Sequence, residues 1–195
     1  MNAPDNSQPI AQSISLKPPG LFRRLASGFY DALILIAIWI LATFLVMPFT
    51  RNRGFESFYA HFNSIKLLYQ LGLLALGYAF FGGFWTHGGQ TVGMRTWKLR
   101  VVRLDGAPLD WYRALLRYLA MLIPWLLLLL GSELLITPAQ SQDALASRVA
   151  AMLIFLLALC GFLWPALDRQ RLAWHDRLAG TRLALLPRKA KAQTD

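Results

Sequence analysis

Long apolar runs alternate with short basic segments along this chain. Four of the runs are long enough to cross a bilayer, which takes about 20 mostly apolar residues in a helix. The pattern predicts an all-α membrane protein with about four transmembrane helices, at residues 25–48, 65–85, 114–130 and 144–167. Pro124 interrupts the third run, and the sequence leaves open whether it kinks or divides that helix.

A polar tail flanks the predicted membrane domain at each end of the chain. Residues 1–20 are polar, contain four prolines and lack an apolar segment, so we expect a disordered cytoplasmic tail and no cleavable signal peptide. Residues 21–186 form the predicted membrane domain. Residues 187–195 are a second, basic cytoplasmic tail.

Lysine and arginine are unevenly divided between the two sides of the predicted spans. If both termini and the middle loop share one side, that side carries sixteen basic residues and the other carries four. Basic loops are retained in the cytoplasm. The distribution therefore predicts that both termini are cytoplasmic.

Composition agrees with the membrane class. Hydrophobic residues make up 56% and charged residues only 15%, against about 25% charged in soluble domains. The net charge of +10 fits either nucleic acid or an anionic membrane surface. Because the basic residues flank apolar runs, we expect anionic lipid headgroups as the partner and no nucleic acid.

The middle loop has a pattern of its own. In residues 86–113, apolar and basic positions interleave and are followed by a strand-like stretch and the turn Asp105-Gly106, which predicts a short interfacial helix and then a small hairpin. Residues 169–183 form a second basic amphipathic element. The glycines of the loop lack the Gly-Lys-Ser/Thr ending of a phosphate loop. We expect four residues at the lipid interface: Arg95, Trp97, Lys98 and Trp174.

One carboxylate lies inside a predicted span. Asp31 is about six residues into the first helix, roughly 9 Å deep at 1.5 Å per residue, and an intramembrane carboxylate is a candidate functional site. Arg24 lies on the same face but roughly 10 Å away along the axis, too far for direct contact. Arg117 is the expected third group between them. Asp176 is the expected counter-charge for Arg113 and Arg117.

Two interpretations fit these four charged residues, which are Arg24, Asp31, Arg117 and Asp176. In the first, they form an ion-pair network that locks helices one and three to the interfacial elements. In the second, they bind an ion, a proton or a small solute. Asp31 would then be the ligand, Arg24 and Arg117 would keep it ionised, and Asp176 would act as a cytoplasmic gate.

Catalytic and metal chemistry find no support in the sequence. His61, His87 and His175 are predicted on different sides of the membrane, and Cys160 is the only cysteine. No metal-ligand spacing, nucleophile motif or cofactor motif is present. We therefore expect no enzyme activity, no metal and no cofactor.

Three segments occur in the order of a known family. They are RRLASGFYD with Arg24 and Asp31, then GGQTVGMRTWKLRVVRLDG followed by ALLRYL with Arg117, and HDRLAGT with Asp176. The chain resembles the RDD family of bacterial membrane proteins, named for one arginine and two aspartates. The resemblance implies the bacterial inner membrane as the location. Transport of unknown ligands has been suggested for the family, and some members are linked to cation/proton exchange.

The function that follows is an inner-membrane protein that binds or transports a small ion or solute near Asp31. The alternative is a non-transporting accessory or scaffold subunit that docks another membrane protein or anionic lipid. The second span offers only Gln70 and Tyr78 as polar candidates. A transporter would therefore need a homo-oligomer or a membrane-protein partner.

Overall fold

Four long helices dominate the computed structural model, which describes residues 17–50, 63–136 and 144–186. They are α1 (Leu21–Val46), α2 (Asn63–Gly88), α4 (Trp111–Ile136) and α5 (Ala144–Leu167). All four are long and apolar enough to cross a membrane, with mean hydropathies of 1.5 to 2.3 in their most apolar stretches. The predicted all-α membrane architecture is confirmed.

Proline does not divide the third span. Pro124 lies inside the continuous helix α4 and is buried. It packs on Gly161 of α5, where an added Cβ would lie 3.1 Å from Pro124 Cγ. Because glycine has no side chain, the two helices approach closely here, and α4 and α5 form the most extensive helix pair.

The helices α1 and α2 meet through fewer contacts, and two of these are polar. Trp39 Nε1 donates to the carbonyl oxygen of Leu73 over 2.9 Å, and the hydroxyls of Thr43 and Tyr69 lie 2.5 Å apart. Most large apolar side chains of the four helices are exposed, as a lipid-facing surface requires.

The buried core lies at one end of the helices. Its members include Trp85 of α2 and Tyr118 of α4, and it continues into two short segments that we call the cap, residues 89–104 and 171–186. Leu99, Val101 and Leu183 of the cap are part of the same core. The helices and the cap are therefore packed as one unit at this end.

Each cap segment contains a short helix followed by a strand. The first has α3 (Val92–Thr96) and β1 (Leu99–Arg103), and the second has α6 (Trp174–Leu178) and β2 (Thr181–Leu185). The strands pair antiparallel, with Leu99 opposite Leu185 and Arg103 opposite Thr181. Each turn from helix to strand contains a residue with positive φ, Lys98 at 56° and Gly180 at 61°.

The pairing corrects two expectations. The predicted short helix is present as α3, but β1 does not form a local hairpin after Asp105-Gly106, because only residues 107–110 separate that turn from α4. Its partner comes from the C-terminal segment instead. That segment, expected to be one amphipathic element over 169–183, divides into a helix and a strand because β2 completes the hydrogen bonding of β1.

Some predicted regions lie outside the described residues. They are most of the N-terminal tail (1–16), the first loop (51–62), much of the third loop (137–143) and the C-terminal tail (187–195). Lys17 is described, and its carbonyl oxygen accepts a hydrogen bond from the amide of Leu185.

Candidate functional site

The first half of α1 carries the residues that hold the cap. Arg24, Ser27 and Asp31 follow one another at spacings of three and four, so they share one face of the helix. Ser27 and Asp31 are each only 2% exposed. This face meets α3 on one side of the cap and the segment before α6 on the other.

Asp31 binds the start of α3. Its Oδ2 accepts a hydrogen bond from Thr91 Oγ1 over 2.5 Å, and its Oδ1 accepts one from the backbone amide of Gly93 over 2.8 Å. Thr91 is also the N-cap of α3, since its Oγ1 accepts from the amide of Met94 over 3.2 Å. Both oxygens of the carboxylate are therefore used to fix α3 against α1.

Asp176 binds two arginines from two different spans. Its Oδ2 accepts from Arg24 Nη1 over 3.0 Å, and its Oδ1 accepts from Arg117 Nη1. Oδ2 also accepts from the amide of Ala173 over 3.0 Å, which caps α6. Asp176 is fully buried and Arg117 is 2% exposed. One carboxylate thus joins α1, α4 and α6.

The arginines make further contacts around this carboxylate. Arg24 Nη2 donates to the carbonyl oxygen of Arg171 over 2.6 Å, and Arg117 Nη1 donates to Thr181 Oγ1 over 2.8 Å. The Arg117 guanidinium carbon lies 5.1 Å from the centre of the Trp85 ring, within range of a cation–π interaction. These contacts tie the cluster to the segment before α6, to the start of β2 and to α2.

The charges of the cluster shift the pKa values of the cap residues. Burial would raise the pKa of Asp176, but the adjacent charges of Arg117 and Arg24 outweigh burial and hold this pKa well below its usual range. Burial lowers the pKa of His175 to about 4, and the charge of Arg117 acts in the same direction. At neutral pH Asp176 is therefore charged and His175 is neutral.

The structure brings together three of the four predicted charges and leaves the fourth apart. Arg24, Arg117 and Asp176 form one cluster. Arg117 does not lie between Arg24 and Asp31 as expected, since both arginines are bound to Asp176. Asp31 has no cationic partner among the described residues, and neutral groups satisfy it instead.

The sequence reasoning missed Thr91, Gly93 and Thr181. Thr91 precedes a short helix and could have been found as a helix-capping threonine. In the sequence Gly93 is only one of several glycines in the middle loop, although its small size allows α3 to approach α1. Thr181 carries no local signal, because its role depends on Arg117 in another helix.

The four residues expected at the lipid interface have different environments. Arg95 and Lys98 are exposed, whereas Trp97 and Trp174 are half-buried. Trp97 packs edge-on against Phe22 at 5.5 Å between ring centres. The indole nitrogens of both tryptophans are buried without a hydrogen-bond partner among the described residues.

Comparison with known proteins agrees with this geometry. Residues 18–180 match the RDD family. The chain belongs to the RDD family. The matched range contains Arg24, Asp31, Arg117 and Asp176. In this chain these charges serve two separate cap contacts, one at Asp31 and one at Asp176. No curated protein and no solved structure matches the chain.

A metal site in this RDD protein would need several His, Cys, Asp or Glu side chains close together. Within residues 17–50, 63–136 and 144–186, no group of three or more His, Cys, Asp or Glu side chains could hold a metal ion.

Proposed function

We propose that this RDD protein is a non-transporting subunit of the bacterial inner membrane, with a rigidly held cap that lies against anionic lipid on the cytoplasmic side. One observation carries the proposal. The oxygens of both cap-binding carboxylates are engaged in bonds within the chain, Asp31 to Thr91 and Gly93, and Asp176 to Arg24 and Arg117. An ion carrier needs carboxylate oxygens that a ligand can reach.

The basic residues of the cap support the lipid contact. Nine described basic side chains make no ion pair with a described residue, and one of them, Arg148 near the start of α5, lies at the end of the helices away from the cap. The other eight lie at the cap end: Lys17, Arg23, Arg95, Lys98, Arg100, Arg169, Arg171 and Arg182. Each basic residue near an anionic surface contributes about 1 kcal/mol of attraction. The positive-inside rule puts this end, and with it both termini, in the cytoplasm.

Ion flux in proteoliposomes tests the proposal. Wild type and Asp31→Asn would be reconstituted with imposed proton and sodium gradients, after folding and orientation have been checked. We expect both to match protein-free liposomes. A flux that the wild type supports and Asp31→Asn abolishes would overturn the proposal.

Crosslinking in cells separates lipid from protein as the contact of the cap. A single abundant partner that is lost when Trp97 or Trp174 is altered would indicate docking on another membrane protein. We expect no such partner, because the unpaired charges of the cap match a lipid surface.

Transport is the second candidate, and one observation favours it. Asp31 is a buried carboxylate in a candidate span without a cationic partner among the described residues, so it could exchange a proton without breaking an ion pair. Along the same face, Leu35 and Trp39 separate it from the polar pair Thr43 and Tyr69. A transport pathway across the membrane would therefore have to form between chains. The flux experiment above tests this candidate as well.

A further inference from the structure

We propose that a groove between the cap end of α2 and the helix α3 binds one anionic phospholipid, with Arg95 holding its phosphate. The inference rests on the proposed lipid contact of the cap and assigns it to a specific site. The aromatic wall of α2 would take the glycerol and the first methylene groups of an acyl chain.

The groove has one apolar wall and one basic rim. Its volume is about 360 Å³, and its lining includes Ala79, Phe80, Gly83, Phe84, His87 and Arg95. From residue 79 to residue 87 the helix rises roughly 12 Å, which matches a headgroup and the start of a chain. Because the groove lies at the end of a candidate span, its ligand can enter sideways from the bilayer.

Small residues keep the groove open. A Cβ added to Gly83 would meet no other atom within 4 Å, so the space beside this glycine is empty of protein. Phe80 and Phe84, which also line the groove, stack edge-to-face on each other, 5.2 Å apart between ring centres. The resulting surface is apolar and rigid, as suits an acyl chain.

Arg95 supplies a charge without an internal counter-ion. Its guanidinium carbon lies 5.9 Å from the centre of the Phe84 ring, which holds the charge at the rim of the groove. No described carboxylate pairs with it. Five described carboxylates bind other groups: Asp31, Asp105, Asp110, Asp168 and Asp176. A guanidinium binds a phosphate through two parallel hydrogen bonds.

His87 favours a headgroup that carries a hydroxyl. In the tautomer whose Nδ1 bears the hydrogen, that nitrogen donates to the carbonyl oxygen of Gly83 over 2.9 Å. Nε2 then remains as an acceptor, without a partner among the described residues. A glycerol headgroup can donate a hydroxyl to this nitrogen while its phosphate binds Arg95. Phosphatidylglycerol combines both features.

Two variants and two matched controls test the site. Gly83→Leu adds a side chain to the groove at a position where a Cβ meets nothing within 4 Å. Gly72→Leu is its control, since a Cβ at position 72 of α2 also meets nothing within 4 Å. Arg95→Gln removes the phosphate ligand. Arg148→Gln is its control, because Arg148 is an exposed arginine without an ion pair to a described residue and lies near the start of α5, away from the cap. The full chain would be reconstituted in phosphatidylcholine with increasing phosphatidylglycerol, and bound lipid would be counted by native mass spectrometry.

We expect the wild type and both controls to retain one phosphatidylglycerol. Arg95→Gln should weaken this binding about tenfold, the size of one charge-assisted hydrogen bond. Gly83→Leu should also weaken it, because the new side chain occupies the space that the acyl chain would take. The wild type could prefer phosphatidylglycerol while the two variants bind it as the controls do. That result would refute the groove as the binding site, but it would leave the general contact of the cap with anionic lipid in place. If the wild type shows no preference for phosphatidylglycerol, both the groove site and the proposed contact of the cap with anionic lipid are refuted.

Discussion

Gly93 of α3 lies directly against the backbone of Ser27 in α1. A Cβ added at position 93 would overlap the carbonyl oxygen of Ser27 and would lie 3.0 Å from Asp31 Oδ1. The same glycine donates its amide to that carboxylate. The close approach of α3 to α1 therefore requires a glycine at position 93.

Gly93→Ala should destabilise the protein, because the new methyl group forces α3 away from α1 and stretches the hydrogen bond to Asp31. Overpacking of this kind costs about 1–3 kcal/mol. The midpoint of thermal unfolding in detergent would fall. Gly28→Ala is the matched control, since its Cβ meets nothing within 4 Å and alanine favours a helix. Equal midpoints for the two variants would contradict the close contact.

Removal of the Asp31 side chain should cost more than removal of its charge. Asp31→Ala leaves the Thr91 hydroxyl and the Gly93 amide without acceptors, at about 1–3 kcal/mol for each unsatisfied group. Asp31→Asn keeps an oxygen for the Gly93 amide, and the Thr91 hydroxyl can turn to accept from the new amide group. We expect the unfolding midpoint to fall in the order wild type, Asp31→Asn, Asp31→Ala.

A double-mutant cycle separates this contact from general effects of the substitution. Thr91→Val removes the hydroxyl that binds Asp31 Oδ2. Combined with Asp31→Asn, it should cost less than the two single changes together, since residues in direct contact couple by about 0.5–3 kcal/mol. Strict additivity would mean that Asp31 does not act through Thr91.

Asp176→Asn should be among the most damaging single changes in this chain. It leaves Arg24 and Arg117 buried without a counter-charge, which typically costs about 3–5 kcal/mol. Loss of the folded species in size-exclusion chromatography, or a large drop in the unfolding midpoint, would measure it. Asp105→Asn is the control: Asp105 pairs with Arg103 at the surface, so we expect no detectable change. Similar losses in both variants would contradict the buried cluster.

The sequence was sufficient for features that depend on local composition. Four apolar runs predict α1, α2, α4 and α5, with differences of a few residues at their ends. A spacing of seven correctly puts Arg24 and Asp31 on one helix face, and Asp176 was expected as the counter-charge that Arg117 finds. These inferences need only helical periodicity and the cost of burying an unpaired charge.

The remaining features depend on contacts between distant segments. Asp31 and Thr91 are 60 residues apart, and no charge on Thr91 marks it as a partner. The pairing of β1 with β2 joins residues about 80 positions apart, whereas the turn signal at Asp105-Gly106 favoured a local strand. Periodicity identifies such strands but does not select their partners, which depend on how α1 holds both halves of the cap.

The stability of the cap should decrease as the pH falls from about 6.5 to about 4, because of His175. Its pKa is lowered to about 4 in the folded protein, against 6.5 for an ordinary histidine. Between these values the unfolded chain binds a proton that the folded chain excludes, so acid favours unfolding. Asp176 does not contribute in this window, since its pKa lies below its ordinary value of 3.8.

Unfolding midpoints measured from pH 7.5 to pH 4.5 would reveal this dependence, with His175→Gln as the comparison. Glutamine does not titrate, so its curve should be flatter than that of the wild type over this range. The two proteins should differ least at pH 7.5, where His175 is neutral in both folded and unfolded chains. Parallel curves would mean that His175 is not held in its neutral form by burial beside Arg117.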